Sequence, residues 1–212
     1  MLAMWVDLVR SPESTRLSDH PAIALFDRLY RAWHRLDAPE SKLPPLLSLS
    51  AERAWREHRL PDGTIIARGD RFGELHLDNA QVIALYARGL PSTQLGFEFR
   101  HQLCASLGGL AEAVRRGGRF DDLIAFSAIT IFHHGLSRLG FVVEPGGLLA
   151  PRVTGAYQRA LLRAVATRPR RNRRAVARRL WLSRSRLVSL YSGAPGVLRA
   201  GATTTGDPDI AA

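Results

Sequence analysis

Turn residues interrupt this chain at short intervals. Between residues 60 and 145 come LPDG at 60–63, RGD at 68–70, Gly89 with Pro91, RRGG at 115–118, Gly140 and Pro145. Such residues supply backbone that neither a helix nor a strand continues. The chain must therefore be built from short elements, and both periodicities occur among them. TIIA at 64–67, FGELHL at 72–77, DDLIAFSAIT at 121–130 and FVVEP at 141–145 read as strands. Residues 22–36 place Ile23, Phe26, Leu29, Tyr30, Trp33 and Leu36 at helical spacing. Further helices are expected over 80–89, capped by Asp78 or Asn79, and over 95–116, 131–140 and 153–167. Residues 46–59 stay open, because LLSLS alternates like a strand while AERAWREHR suits a helix or an edge strand.

The expected fold is α+β, a single domain with a small, mostly antiparallel sheet packed by four or five helices, and a basic helical C-terminal part. Residues 64–78, read as a β-hairpin or two short strands, are expected to form the sheet with 124–129 and 141–145. The organisation is a flexible N-terminal tail at 1–19, one domain at 20–192 with a basic segment at 152–186, and a tail at 193–212 that is disordered by composition.

Charge divides the chain unevenly. Residues 1–144 hold 17 Lys+Arg and 17 Asp+Glu, whereas 145–206 hold 13 Arg and no acid. Asp207 and Asp209 bring the net charge to +11. An acid-free basic segment attracts polyanions. RPRRNRRAVARR at 168–179 has seven Arg in twelve residues. Arg168, Arg170, Arg171, Arg173, Arg174, Arg178 and Arg179 are the candidate anion- and membrane-binding residues, with Trp181 beside Leu180, Leu182 and Leu187 as an interfacial anchor. The expected partner is an anionic membrane surface or an acidic glycan or lipid. Nucleic acid ranks behind it, for no aromatic platform or recognition-helix pattern accompanies the Arg run. The competing reading is a solvated Arg-rich face reflecting compositional bias, since Lys42 is the single lysine.

One cysteine, Cys104, excludes an intrachain disulfide and fits a reducing compartment. No apolar run approaches the roughly 18 residues of a spanning helix. No export signal is visible at the N-terminus. The expected location is cytoplasmic, peripheral at the inner membrane.

RGDRFGELHLDN, residues 68–79, is the stretch richest in chemistry-bearing side chains. In a strand Glu74 and His76 project from one face. A carboxylate beside an imidazole suits general-base work. The same residues also suit a solvated strand face ending in a helix cap. Asp70, Glu74, His76 and Asn79, with Thr130, are the candidate catalytic set. No metal site is expected: His133 and His134 are adjacent and diverge on a helix, and His101 with Cys104 supplies only two ligands. No nucleotide fingerprint and no GxSxG is present, and no cofactor is implied.

These residues carry a resemblance. DGT at 62–64, Gly69–Asp70, the strand ending His76-x-x-Asn79, Thr130 and RLGF at 138–141 together resemble the YkoP family of small bacterial proteins, over about residues 20–192. Related domains occur attached to polysaccharide deacetylases. The resemblance thus implies work in cell-envelope polysaccharide or lipid metabolism, with envelope-biosynthesis proteins as further partners. The paired aspartates and HxxxH of a deacetylase are missing, and Asp121–Asp122 stands in another context. The resemblance carries over no catalytic residues. An accessory protein is the first expectation, an envelope-pathway enzyme the second and a nucleic-acid-binding protein the third.

Overall fold

The computed structural model describes residues 21–130, 133–144 and 177–193. The expected tails at 1–19 and 193–212, the latter but for Gly193, and the expected helix at 153–167 lie outside them. So do Arg168, Arg170, Arg171, Arg173 and Arg174.

Helix α1 spans Pro21–Trp33. A 3-10 turn follows at Pro39–Ser41, then strands β1 Lys42–Leu43 and β2 Leu47–Arg53. Strands β3 His58–Arg59 and β4 Ile65–Ile66 form a small antiparallel pair. Strand β5 is Arg71–Leu77, followed by helices α2 Asn79–Ala87 and α3 Ser92–Arg116. Strand β6 Leu123–Thr130, helix α4 His133–Ser137, strands β7 Val142–Val143 and β8 Arg178–Ser183, and helix α5 Arg184–Tyr191 complete the described chain. The main sheet has six strands in the order β1-β2-β5-β6-β8-β7. All neighbours are antiparallel except β5 and β6. A parallel pair needs a long crossover, and here α2 and α3 provide it. The architecture is the expected mixed α+β sheet with helices.

Of the two readings of residues 64–78, the hairpin is corrected and two separate strands are found. β4 pairs with β3, while β5 pairs with β2 along its whole length, Leu47 opposite Leu77 and Arg53 opposite Arg71. The backbone shows why. Gly69 donates to Ala54 O at 2.7 Å, and Ala54 donates to Asp70 O at 2.9 Å. The ends of 54–70 are thereby tied together, and that segment leaves the sheet as a closed excursion. Gly69, at φ +94°, makes the turn that returns the chain to the sheet.

The pleat sorts the sheet into two faces. Leu47, Leu49, Leu75, Phe126, Leu180 and Leu182 are buried on one, against α3 and α5. Along α3, Leu103, Leu107, Leu110 and Val114 recur at three- and four-residue steps, so one stripe meets the sheet. Arg184 fastens this layer by donating to Val114 O at 3.0 Å, Phe120 O at 2.7 Å and Asp121 O at 2.9 Å. The opposite face is half apolar and half polar. Phe72 and Trp181 are covered there by Ala54, Leu60 and Ile66 of the excursion. The polar half lies beneath α1.

Candidate functional site

The register builds the polar half. On β2, Ser48 stands opposite His76 and Ser50 opposite Glu74. On the other side of β5, Glu74 stands beside Ser127 of β6. Glu74 and His76 therefore share a face, as the strand period predicts. That face is not solvated. His76 is 8% exposed and Ser127 is fully buried.

Helix α1 closes the site from above. Tyr30 and His34, four apart, point to the sheet along one helix face. The Tyr30 hydroxyl lies 3.2 Å from His76 Nδ1, and Ser50 Oγ lies 2.9 Å from His76 Nε2. Ser50 Oγ also reaches Glu52 Oε1 at 3.3 Å, and His34 Nδ1 reaches the same oxygen at 3.2 Å. One proton arrangement satisfies all of these bonds. Tyr30 donates to His76 Nδ1, His76 Nε2 donates to Ser50, Ser50 donates to Glu52, and His34 donates to Glu52 from the other side. The His34 and His76 rings lie 5.2 Å apart.

Electrostatics keep this chain neutral at its centre. Burial, reinforced by His34, pulls the His76 imidazole down from 6.5 to about 3, with Glu52 opposing. Burial, with Glu74 and Glu52 beside it, pushes the Tyr30 phenol well above its ordinary value. The His34 hydrogen bond holds the Glu52 carboxyl below its ordinary value. Glu74 is pushed up by burial, and Arg179 opposes that shift. Arg179 Nη1 lies 3.3 Å from Glu74 Oε2 and 3.0 Å from Ser127 Oγ.

The remaining predicted residues do not converge here. Asp70 is six residues from His76 along extended chain, about 20 Å. Its carboxylate accepts from Ala67 N at 2.7 Å and closes a turn. Asn79 is the first residue of α2, and the cap is Asp78, which accepts from Ala80 N and Gln81 N. Asp78 also accepts from Lys42 at 2.9 Å. Thr130 is buried on the other side of the pleat, in step with Phe126 and Ala128 rather than with Ser127. The set Asp70, Glu74, His76, Asn79 and Thr130 thus reduces to Glu74 and His76.

Two members of the predicted anion-binding set are also corrected. Trp181 is 2% exposed and lies in the core, so it does not present itself to a membrane. Arg179 has a side chain only 15% exposed and is held by Glu74. Trp181 instead lines a pocket of ≈ 240 Å³ with Arg56, His58, Val143 and Glu144. The indole donates to Glu144 Oε2 at 3.0 Å, and Arg56 pairs with the same carboxylate.

Tyr30, His34, Ser50 and Glu52 were missed as site residues. A signal existed for each pair. Tyr30 and His34 are four apart in a helical pattern, and LSLSAE alternates so that Ser48, Ser50 and Glu52 share a face. Among the described residues no group of three or more His, Cys, Asp or Glu is placed to hold a metal ion.

These features define a small α+β domain whose buried polar cluster is linked by hydrogen bonds among its own side chains. Its family is shown by the model of the YkoP domain, which matches residues 22–191. The chain belongs to that family. Searches of the curated proteins and of the solved structures found no match.

The cluster bears a stability test. His76→Ala removes the buried ring that hydrogen-bonds both Tyr30 and Ser50, a change expected to cost about 1–3 kcal/mol. The melting temperature should fall, and α1 should become easier to cleave in limited proteolysis. The imidazole also sets a pH response. Between about 3 and 6.5 the unfolded chain binds the proton and the folded chain does not. This group's contribution to stability therefore declines as pH drops through that window. His76→Ala should flatten the decline. Equal melting temperatures and equal acid slopes would remove the cluster as a tie between α1 and the sheet.

Proposed function

We propose that the protein is an accessory factor of cell-envelope polysaccharide or lipid metabolism, acting in the cytoplasm at the anionic surface of the inner membrane. One observation carries this reading: residues 1–144 sum to zero charge while 145–206 hold 13 Arg and no acid. A chain whose positive excess falls in one segment suits attachment to a polyanionic surface. The connection to the envelope rests on the family resemblance, through related domains attached to polysaccharide deacetylases.

The polar cluster supports an accessory role over catalysis. In the proton arrangement that satisfies the bonds described above, His76 offers Ser50 an N–H rather than a lone pair. Its imidazole is also too weak a base at neutral pH, having been pulled to about 3. Asp70, Asn79 and Thr130 stand apart, so of the predicted catalytic set only Glu74 and His76 share the cluster. Among the described residues no helix is long and apolar enough to cross a membrane.

Sedimentation with lipid vesicles tests the proposal. The protein should pellet with vesicles containing anionic lipid and return to the supernatant at high salt, where surface charge is screened. Equal pelleting with neutral vesicles, or none with either, would overturn the membrane reading. Comparable affinity for duplex DNA at physiological salt would promote nucleic-acid binding in its place.

A further inference from the structure

Helix α1 is bound to the sheet by polar contacts. Among its described side chains none is buried, and none joins either apolar core. Helix α3 differs, with Leu103, Leu107, Leu110 and Val114 buried along one stripe. On α1 the Tyr30 hydroxyl meets His76 Nδ1 at 3.2 Å, and one turn on His34 Nδ1 donates to Glu52 Oε1 at 3.2 Å. Such bonds contribute little net stability, because water replaces them when they break. An element held this way opens more readily than one whose release exposes apolar surface.

The chain just after α1 supplies a hinge. Arg35 has φ +52°, in the left-handed region that a residue with a side chain occupies at a cost. Leu36, next to it, is 4% exposed. One strained residue thus separates α1 from a buried anchor. Relaxation of Arg35 as α1 swings away would offset part of the lost bonding.

The face beneath is made of groups that water solvates well. Ser50 and His76 are buried there, and the Glu74 side chain is 12% exposed. On the paired strands β2 and β5, Ser50 stands opposite Glu74, with Glu52 and His76 two residues along. Keeping such groups from water is costly, and opening lets water in. With α1 raised, His76 Nδ1 exchanges the phenol for water.

We propose that α1 is a lid, which opens as one unit about Arg35 and uncovers Ser50, Glu52, Glu74 and His76 while the rest of the fold stays intact. The candidate site then has two states. In the closed state the cluster bonds to itself and to α1. In the open state the same groups face solvent and can bind a polar ligand.

Native-state hydrogen exchange on the full chain tests the motion. Amides 29–34 should exchange at one common rate, about 100-fold or more faster than amides 103–114 of α3. Tyr30→Phe removes the bond to His76 and should speed α1 exchange about fivefold. His34→Ala, which releases Glu52, is a second arm and should act in the same direction. Ala111→Gly weakens α3 and should speed its exchange about fivefold. It should leave α1 exchange unchanged, because α3 is intact in the open state. Diethyl pyrocarbonate, which acylates neutral imidazole reached by solvent, reads the face beneath. His76 should react well ahead of global unfolding, faster in Tyr30→Phe and at the wild-type rate in Ala111→Gly. Exchange of α1 that rises with Ala111→Gly would show that α1 opens only with the whole fold, and would overturn the lid. Graded exchange along α1, with His76 unreactive until the protein unfolds, would show a fraying helix end and overturn it as well.

Discussion

Arg179→Met is expected to destabilise the protein by about 3–5 kcal/mol, because it removes one partner of a buried ion pair. The Glu74 side chain is 12% exposed and lies 3.3 Å from the guanidinium. Methionine occupies similar space beside Phe72 and Trp181, whose rings the guanidinium now faces. It offers nothing to the carboxylate or to Ser127. Glu74 is already pushed up by burial, and the Arg179 charge beside it opposes the shift. Without it the folded-state value climbs further above the unfolded one. The folded chain then binds the proton more tightly than the unfolded chain, so the variant's deficit should shrink as pH falls below the raised value. Urea melts across pH read this directly. Adding Glu74→Gln to Arg179→Met should recover much of the loss at neutral pH. A deficit under about 1 kcal/mol, flat across pH, would show that Glu74 is solvated and that the pair is only a surface contact.

The same pair shows what a one-dimensional reading can reach. Glu74 and His76 were legible as neighbours because alternation along one strand is local. Their partners were not, because Ser50, Ser127 and Arg179 arrive from three other strands, 24, 53 and 105 residues from Glu74 in sequence. Period alone does not state which strands pair. TIIA and FGELHL looked like a hairpin because they are adjacent strand-like runs with RGD between them. The ties between Ala54 and residues 69–70 instead align β5 with β2, a pairing set by burial of Leu47, Leu49 and Leu75 on one face. The helices fared better. The Asp78 cap and the RRGG stop bracket α2 and α3 through local chemistry, and the structure keeps both within a few residues of the expected spans. Helical spacing put Leu29 and Trp33 in one pattern with Tyr30, whereas the structure exposes Leu29 and Trp33 and turns Tyr30 to the sheet. Period marks residues that share a face, and only packing decides which face is covered.

Trp181→Ala should cost about 3–5 kcal/mol, the range for emptying a large aromatic site in a core. In the sequence, Trp181 between Leu180 and Leu182 and next to Arg178 and Arg179 has the composition of an interfacial anchor. The same composition describes an interior strand covered on both faces, which reads as a continuous apolar run. β8 lies between β6 and β7, so Leu180 and Leu182 enter one core while Trp181 enters the other. Its ring centroid lies 4.9 Å from that of Phe72 and 4.7 Å from that of His58. Alanine would leave a cavity there and would remove the indole donor from Glu144, a carboxylate only 5% exposed. Trp181→Phe separates these effects, keeping most of the ring volume and losing the hydrogen bond to Glu144. It should cost less, about 1–3 kcal/mol, and bind anionic vesicles like the wild type. The two ideas about this residue then give opposite results. A core residue loses stability on truncation and keeps lipid binding in the folded phenylalanine variant. An anchor keeps stability and loses lipid binding in both, and that outcome would return Trp181 to the membrane.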